Sequence, residues 1–181
     1  MELSAGSSLS KGETLGDTVL NFAAMKPDVL VVRYGQSDEL DQLLPHVGIP
    51  VINAGSGTMA HPTQGLLDAY TLRREWGSLE GKQVLIFGDV RHSRVARSNF
   101  DLLSKLGATV GVCGPEAMMP LPEQMPGVRV FESLDEALPW ADACMGLRIQ
   151  LERHATKDLD VSAASEYHAR YGLNPQRLDL L

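Results

Sequence analysis

The chain has 181 residues, a formal net charge of −7 and 44% hydrophobic residues. That is enough to bury a core in one large domain or two small ones, and the acidic balance argues against nucleic acid or an anionic membrane as partner. No apolar run reaches the roughly eighteen residues of a membrane span, and the first residues lack a basic-then-apolar leader.

Two cysteines, Cys113 and Cys144, lie far apart in apolar runs and form no metal-ligand pattern. They read as reduced core residues of a cytosolic protein.

In chain order, Ser7–Thr14 is polar and Ser-rich, consistent with a loose N-terminal stretch or a mobile loop. Leu15, Val19, Phe22 and Ala23 then make an apolar stripe at the helical period. Asp28–Arg33 is a continuous apolar run closed by a basic residue, as in a parallel strand buried on both faces. Arg33 stands at its carboxyl end, where open parallel sheets bind ligands, although a solvated edge arginine would look the same. Asp38–Leu44 reads as a short helix.

Pro50–Ala54 is the end of a second buried strand, and Gly55-Ser56-Gly57-Thr58 is a turn of small residues. Pro62 opens a helix running to about Trp76, a position that suits proline because the missing N–H would be unpaired there. His61 is thereby held out of helical geometry at the helix mouth, with Thr63 and Gln64 in the first turn. Free N–H groups and partial positive charge at that mouth suit a small anion with a carbonyl or amide to grip. Gly55-x-Gly57-x-x-Ala60 also matches a loose dinucleotide fingerprint, but the acid about twenty residues on, Glu75, falls inside the helix.

A new unit begins after Gly77, with the boundary placed within Arg74–Gly81. Lys82–Phe87 is a buried strand closed by Gly88-Asp89. The helix after it points Val95, Leu102, Leu103 and Leu106 to the core and Arg94, Ser98, Asp101 and Lys105 away from it. Arg91, Arg94 and Arg97 recur every three residues and cluster on one side, which is unfavourable at a helix start unless an anion is bound. Ala108–Gly114 and Val128–Phe131 are further strands, with a proline-rich loop between them. Ser133 caps a short helix, with Glu136 three residues on. Asp142–Leu147 is a strand ending at Arg148, again a basic residue at a carboxyl end. Helices around Ala163–Tyr171 and Pro175–Leu181 close the chain. Apolar runs alternating with helical stretches predict an α/β fold of two parallel-sheet units, residues 1–76 and 77–181.

Three runs carry a resemblance. His61-Pro62-Thr63-Gln64 with Leu66-Leu67-Asp68 resembles the signature of the aspartate and ornithine carbamoyltransferases. Gly88-Asp89-Val90-Arg91-His92-Ser93-Arg94 resembles the aspartate branch in a form that the ornithine branch does not share, and Met145–Arg153 resembles its second aspartate loop. Ser7–Thr14 is similar to that branch's mobile active-site loop.

The resemblance implies a partial carbamoyl-phosphate domain followed by most of a Rossmann-like aspartate domain. It implies carbamoyl transfer from carbamoyl phosphate to L-aspartate in pyrimidine biosynthesis, without metal or cofactor. Arg33 and His61 would face the carbonyl oxygen, with Arg33 also on the phosphate, and Gln64 would hold the amide nitrogen. Lys11, with Ser7 or Ser8, would reach a neighbouring subunit's site in a homotrimer, and Lys11 would touch both substrates. Arg94, Arg148 and Gln150 would hold the carboxylates of aspartate.

Two alternatives remain open. An ornithine or related carbamoyltransferase would have to place a cationic acceptor near Arg148 and Lys11. A piece that only binds dicarboxylate or assembles with other chains is the other. Family members carry a Ser-Thr-Arg-Thr phosphate loop and a later strand ending in His-Pro-Gly-Pro or His-Pro-Leu-Pro, and none of these runs occurs in this sequence. An internal piece of the family, turning over slowly by itself, is the expectation.

Overall fold

Two parallel sheets, each fed by helices, form two compact units, residues 1–64 and 65–181. The computed structural model describes residues 12, 14–35, 42–150 and 161–180, and in the last stretch the side chains from residue 165 onward. The Ser7–Lys11 loop and most of the helix expected over Asp38–Leu44 lie outside those residues; residues 42–43 are helical and lead into a 3-10 turn, Leu44–His46.

In the first unit, α1 (Leu15–Ala24) starts at Thr14, whose hydroxyl oxygen accepts the Asp17 N–H. An N-cap of this kind satisfies a donor that the helix itself cannot. Leu15 and Val19 of α1 pack with Val47 and with Leu30, Val32, Tyr34 and Val51 of strands β1 (Leu30–Tyr34) and β2 (Val51–Ser56), which pair in parallel.

The expectation of a strand buried on both faces fails for β1. Its residues alternate, with Leu30, Val32 and Tyr34 turned inward while Val31 is 64% exposed and Arg33 is also exposed. A two-stranded sheet with one packed face produces this alternation, and Val and Ile suit a strand whether its second face is covered or not. The small-residue turn is also displaced. β2 continues through Gly55 and Ser56, and the turn is residues 57–59. Asn53 Oδ1 accepts the Gly55 N–H at 2.8 Å, and Gly57 N donates to Tyr34 O at 2.9 Å.

The second unit is a four-stranded parallel sheet in the order β5-β4-β3-β6, from β3 (Gln83–Phe87), β4 (Thr109–Cys113), β5 (Arg129–Phe131) and β6 (Ala143–Gly146). Here burial on both faces holds. Val84, Ile86, Val110 and Val112 meet Ala69 of α2 (Pro62–Trp76) and Phe100 and Leu103 of α3 (Arg94–Lys105) on one side. Leu85, Phe87 and Cys113 meet Leu134 and Ala137 of α4 (Leu134–Ala137) and Tyr171 of α5 (Val161–Tyr171) on the other. Gly111 is required by that second layer: a Cβ there would stand 2.5 Å from the Trp140 ring and 2.8 Å from Phe131.

Ser133 caps α4 through the Glu136 N–H. The last helix, α6 (Pro175–Leu178), is pinned by Arg177, which reaches Asp135 through Nε at 2.6 Å and donates to Gly172 O at 2.8 Å.

Two details of α3 differ from the sequence reading. Its buried stripe is Ala96, Asn99, Phe100 and Leu103, with Arg94 also buried, whereas Leu106 is exposed. Leu106 is the C-cap, where the backbone has left helical geometry, so the periodic face does not extend to it. Arg91 is not on the helix at all. It lies in the turn before Ser93, which caps α3 through the Ala96 N–H, so three arginines do not share one helical side.

Candidate active site at the strand ends

In the first unit His61 and Gln64 stand at the start of α2. Pro62 is the first helical residue and His61 the last before it. His61 O accepts the Gln64 N–H at 3.1 Å, and the His61 ring Nδ1 lies 3.3 Å from Thr63 Oγ1. Both His61 and Gln64 are half-buried. The imidazole is therefore oriented by its own helix turn. The helix mouth expected from the sequence is formed, and Glu75 lies within α2, as the argument against a dinucleotide site required. Arg33 projects from the open face of β1, one residue short of the strand end.

In the second unit the sequence order of strands reverses at β3: β4 and β5 follow on one side, and β6 returns to the other. Ligands in open parallel sheets bind beyond the carboxyl ends of strands at such a reversal. The chain leaving β3 is Gly88–Ser93, and the chain leaving β6 is Leu147–Gln150. Gly88 has φ +108°, and a Cβ on it would stand 2.5 Å from Leu147 O and 3.2 Å from the Tyr167 hydroxyl. Only glycine lets the two crossings approach this closely.

Arg94 sits at the first position of α3, 9% exposed, and Arg148 is exposed in the loop after β6 with Nη1 3.4 Å from Ile149 O. A helix's first turn abuts the strand end that feeds it, so Arg94 is shielded while Asp101 and Lys105, further along, stay in solvent and pair at 2.7 Å. Arg97 is half-buried and its Nη2 donates to Arg91 O at 3.3 Å.

Sequence reasoning missed the residue at the centre. Asp89 is fully buried. Its Oδ1 lies 2.7 Å from His92 Nδ1, and its Oδ2 accepts the backbone N–H of Gln150 at 3.0 Å. Gln150, itself 8% exposed, donates from Nε2 to His92 O at 2.9 Å. Burial raises the Tyr167 phenol above its ordinary pKa, and the nearby Asp89 charge raises it further. The available signal was Asp89 directly after the strand-closing glycine. A second buried polar contact joins Asn99 Nδ2 of α3 to Asp68 Oδ2 of α2 at 2.8 Å.

Burial pushes the Cys113 thiol up to about 11 and raises Cys144 as well, so neither suits a nucleophile near neutral pH. Among the described residues no cluster of His, Cys, Asp or Glu could hold a metal ion, and no helix is long and apolar enough to cross a membrane.

Comparison with known proteins shows what the chain is similar to. Residues 1–74 match the family described as aspartate/ornithine carbamoyltransferase, carbamoyl-P binding domain. The chain is 50% identical over 98% of its length to the aspartate carbamoyltransferase catalytic subunit of Chlorobaculum tepidum, and 51% identical over 95% to that of Myxococcus xanthus. It spans 57% of the length of each of these relatives. Among solved structures, aspartate transcarbamoylase from Trypanosoma cruzi in complex with carbamoyl phosphate superimposes with a TM-score of 0.80 at 29% identity, covering 99% of this chain and 60% of that one. The same enzyme in complex with carbamoyl phosphate and aspartate gives 0.79 at 28% identity, with the same shares covered.

Proposed function

We propose, for a chain homologous to aspartate carbamoyltransferase catalytic subunits along almost its whole length, that it carries part of the machinery moving a carbamoyl group from carbamoyl phosphate to L-aspartate. The observation that supports this most is the placement of Arg94 on the crossing after β3 and of Arg148 and Gln150 on the crossing after β6, the two strands at a strand-order reversal. Guanidinium forks match carboxylates, so two of them on adjacent strand ends suit a dicarboxylate.

In the proposed reaction the α-amino nitrogen of aspartate bonds to the carbonyl carbon as the bond from that carbon to the phosphate oxygen breaks. The proton that the amine loses goes to the departing phosphate, and carbamoyl aspartate and phosphate leave. His61 and Arg33 stabilise the oxyanion, and one such donor is worth roughly 2.7–4 kcal/mol. Gln64 holds the carbamoyl nitrogen. Lys11 and either Ser7 or Ser8 complete a neighbouring subunit's site in a homotrimer. Arg94, Arg148 and Gln150 bind aspartate. Because phosphate is already a good leaving group, positioning is the main contribution, worth on the order of 7–11 kcal/mol. The functional division falls within residues 74–81, the enzyme works in the cytoplasm, and its product feeds pyrimidine synthesis.

The test is to incubate the purified chain with carbamoyl phosphate and either aspartate or ornithine, and to follow aspartate binding by NMR in parallel. Carbamoyl aspartate, or aspartate binding that perturbs Arg94, Arg148 and Gln150, is expected. Citrulline formation, or no aspartate binding at those residues, would overturn the reading.

A further inference from the structure

Asp89 has no exposed surface, yet it carries two carboxylate oxygens that need donors. Two of their contacts come from two different segments. His92, in the same turn, approaches Oδ1 at 2.7 Å, while the Gln150 N–H, 61 positions along the chain, donates to Oδ2 at 3.0 Å. An ionised carboxylate can only accept, so with Asp89 charged the contact at Oδ1 is made by a proton on His92 Nδ1. The contact is closed by a third bond, from Gln150 Nε2 to His92 O at 2.9 Å. Gln150 is thus held at its backbone by Asp89 and at its side chain by His92.

We infer that His92 is a positioning residue: by holding Asp89 it locks the loop after β6 to the turn after β3, and so sets how Arg148 and Gln150 meet a dicarboxylate. This rests on the carbamoyl-transfer reading. The physical reason is that hydrogen bonds sharing one buried carboxylate are coupled. Remove the ring and Oδ1 loses its 2.7 Å contact in a site shielded from water. Asp89 then turns toward another donor, and Oδ2 leaves the Gln150 amide. Arg148, two residues before Gln150 and exposed, follows the loop.

Two substitutions separate positioning from bulk structure. In His92→Asn the amide nitrogen falls near the place of Nδ1 and keeps a donor for Asp89. In His92→Leu the volume stays but the donor is gone. Without ligand, amide hydrogen exchange at Gln150 should rise at least tenfold in His92→Leu and stay within threefold of the parent in His92→Asn. Amides of β3 and β4 should be unchanged in both. With ligand, the dissociation constant for aspartate should rise at least tenfold in His92→Leu, be rescued to within threefold in His92→Asn, and leave that for carbamoyl phosphate unmoved.

Equal loss of protection across the sheet, failure of His92→Leu to fold, or failure of His92→Asn to rescue would overturn the inference. The exchange arm needs no ligand. An unsubstituted chain that binds no aspartate would therefore sink the carbamoyl-transfer reading, while Gln150 exchange still decides whether His92 holds the loop.

Discussion

The two sheets are written in similar residues and end in different states. β1 reads Leu-Val-Val-Arg-Tyr and β3 reads Gln-Val-Leu-Ile-Phe. In β3 the residues from Val84 to Phe87 are all buried, because helices cover both faces. In β1 every second residue is exposed, and Val31 faces outward beside its β2 partner Ile52, which is 44% exposed. Local sequence decides that a strand forms, but the number of covering layers decides what the strand is worth. The difference also divides the candidate chemistry. Arg33, His61 and Gln64 belong to the thinly built unit, whereas Arg94, Arg148 and Gln150 stand on the sheet packed on both sides.

The sharpest way to break this comparison is to cut into both cores. Leu103 has no exposed surface and sits in the main cluster of the second unit. Leu103→Ala should cost about 2–5 kcal/mol in urea unfolding, from lost transfer energy and the cavity left behind. Val31→Ala should stay within about 0.5 kcal/mol, as for other exposed positions. Similar costs for the two would mean that the open face of β1 is covered in solution.

The next effect tests the division of the chemistry. Arg148→Ala should weaken aspartate or succinate binding by roughly 2–5 kcal/mol, the range for truncating one partner of a desolvated charge pair. Calorimetry with carbamoyl phosphate should show little change, since its proposed contacts lie in the other unit. Equal losses for both ligands would make Arg148 a structural residue and dissolve the assignment of one substrate to each unit.

Much of this was legible in the sequence, for reasons that also explain what was not. The bounds of α2 at Pro62 and Trp76 agree with the reading because proline and the following Gly77 punctuate it. β4, at Thr109–Cys113, agrees because an apolar run between glycines leaves little freedom. The open face of β1 was illegible because Val31 would be equally at home under a covering layer. The burial of Arg94 was illegible because helical periodicity gives the face of a residue and not its place along the axis. The contact that ties Asp89 to the second loop could not be read locally, because the Gln150 N–H lies sixty-one residues away. His61, by contrast, was placed correctly at the helix mouth because the signals for that place, Pro62 and the first turn through Gln64, lie within three residues of it.

The smallest expected effect concerns the edge strand β6 and asks whether charge or burial holds the second sheet there. Asp142, just before β6, accepts the Gln83 N–H at 2.8 Å and the Lys82 ammonium at 3.3 Å, tying the start of β6 to the start of β3. The Gln83 N–H, and after it the Lys82 ammonium, hold the Asp142 carboxyl below the ordinary carboxylate range, against the opposing effect of burial. A carboxyl whose folded pKa is depressed stabilises the fold fully above its unfolded value, about 3.9. That contribution disappears as pH falls through the lower folded value, because the folded state must then take up a proton it binds poorly. Asp142→Asn keeps an oxygen for the Gln83 N–H and removes only the charge. Its cost near pH 7 should be under about 1 kcal/mol, as for other partly exposed pairs. The gap between variant and parent should close as pH is lowered below about 4, which urea titrations at the two pH values would show. A gap that persists in acid would mean that Asp142 acts through the shape of its backbone contact, and that the edge of the well-packed sheet owes nothing to charge.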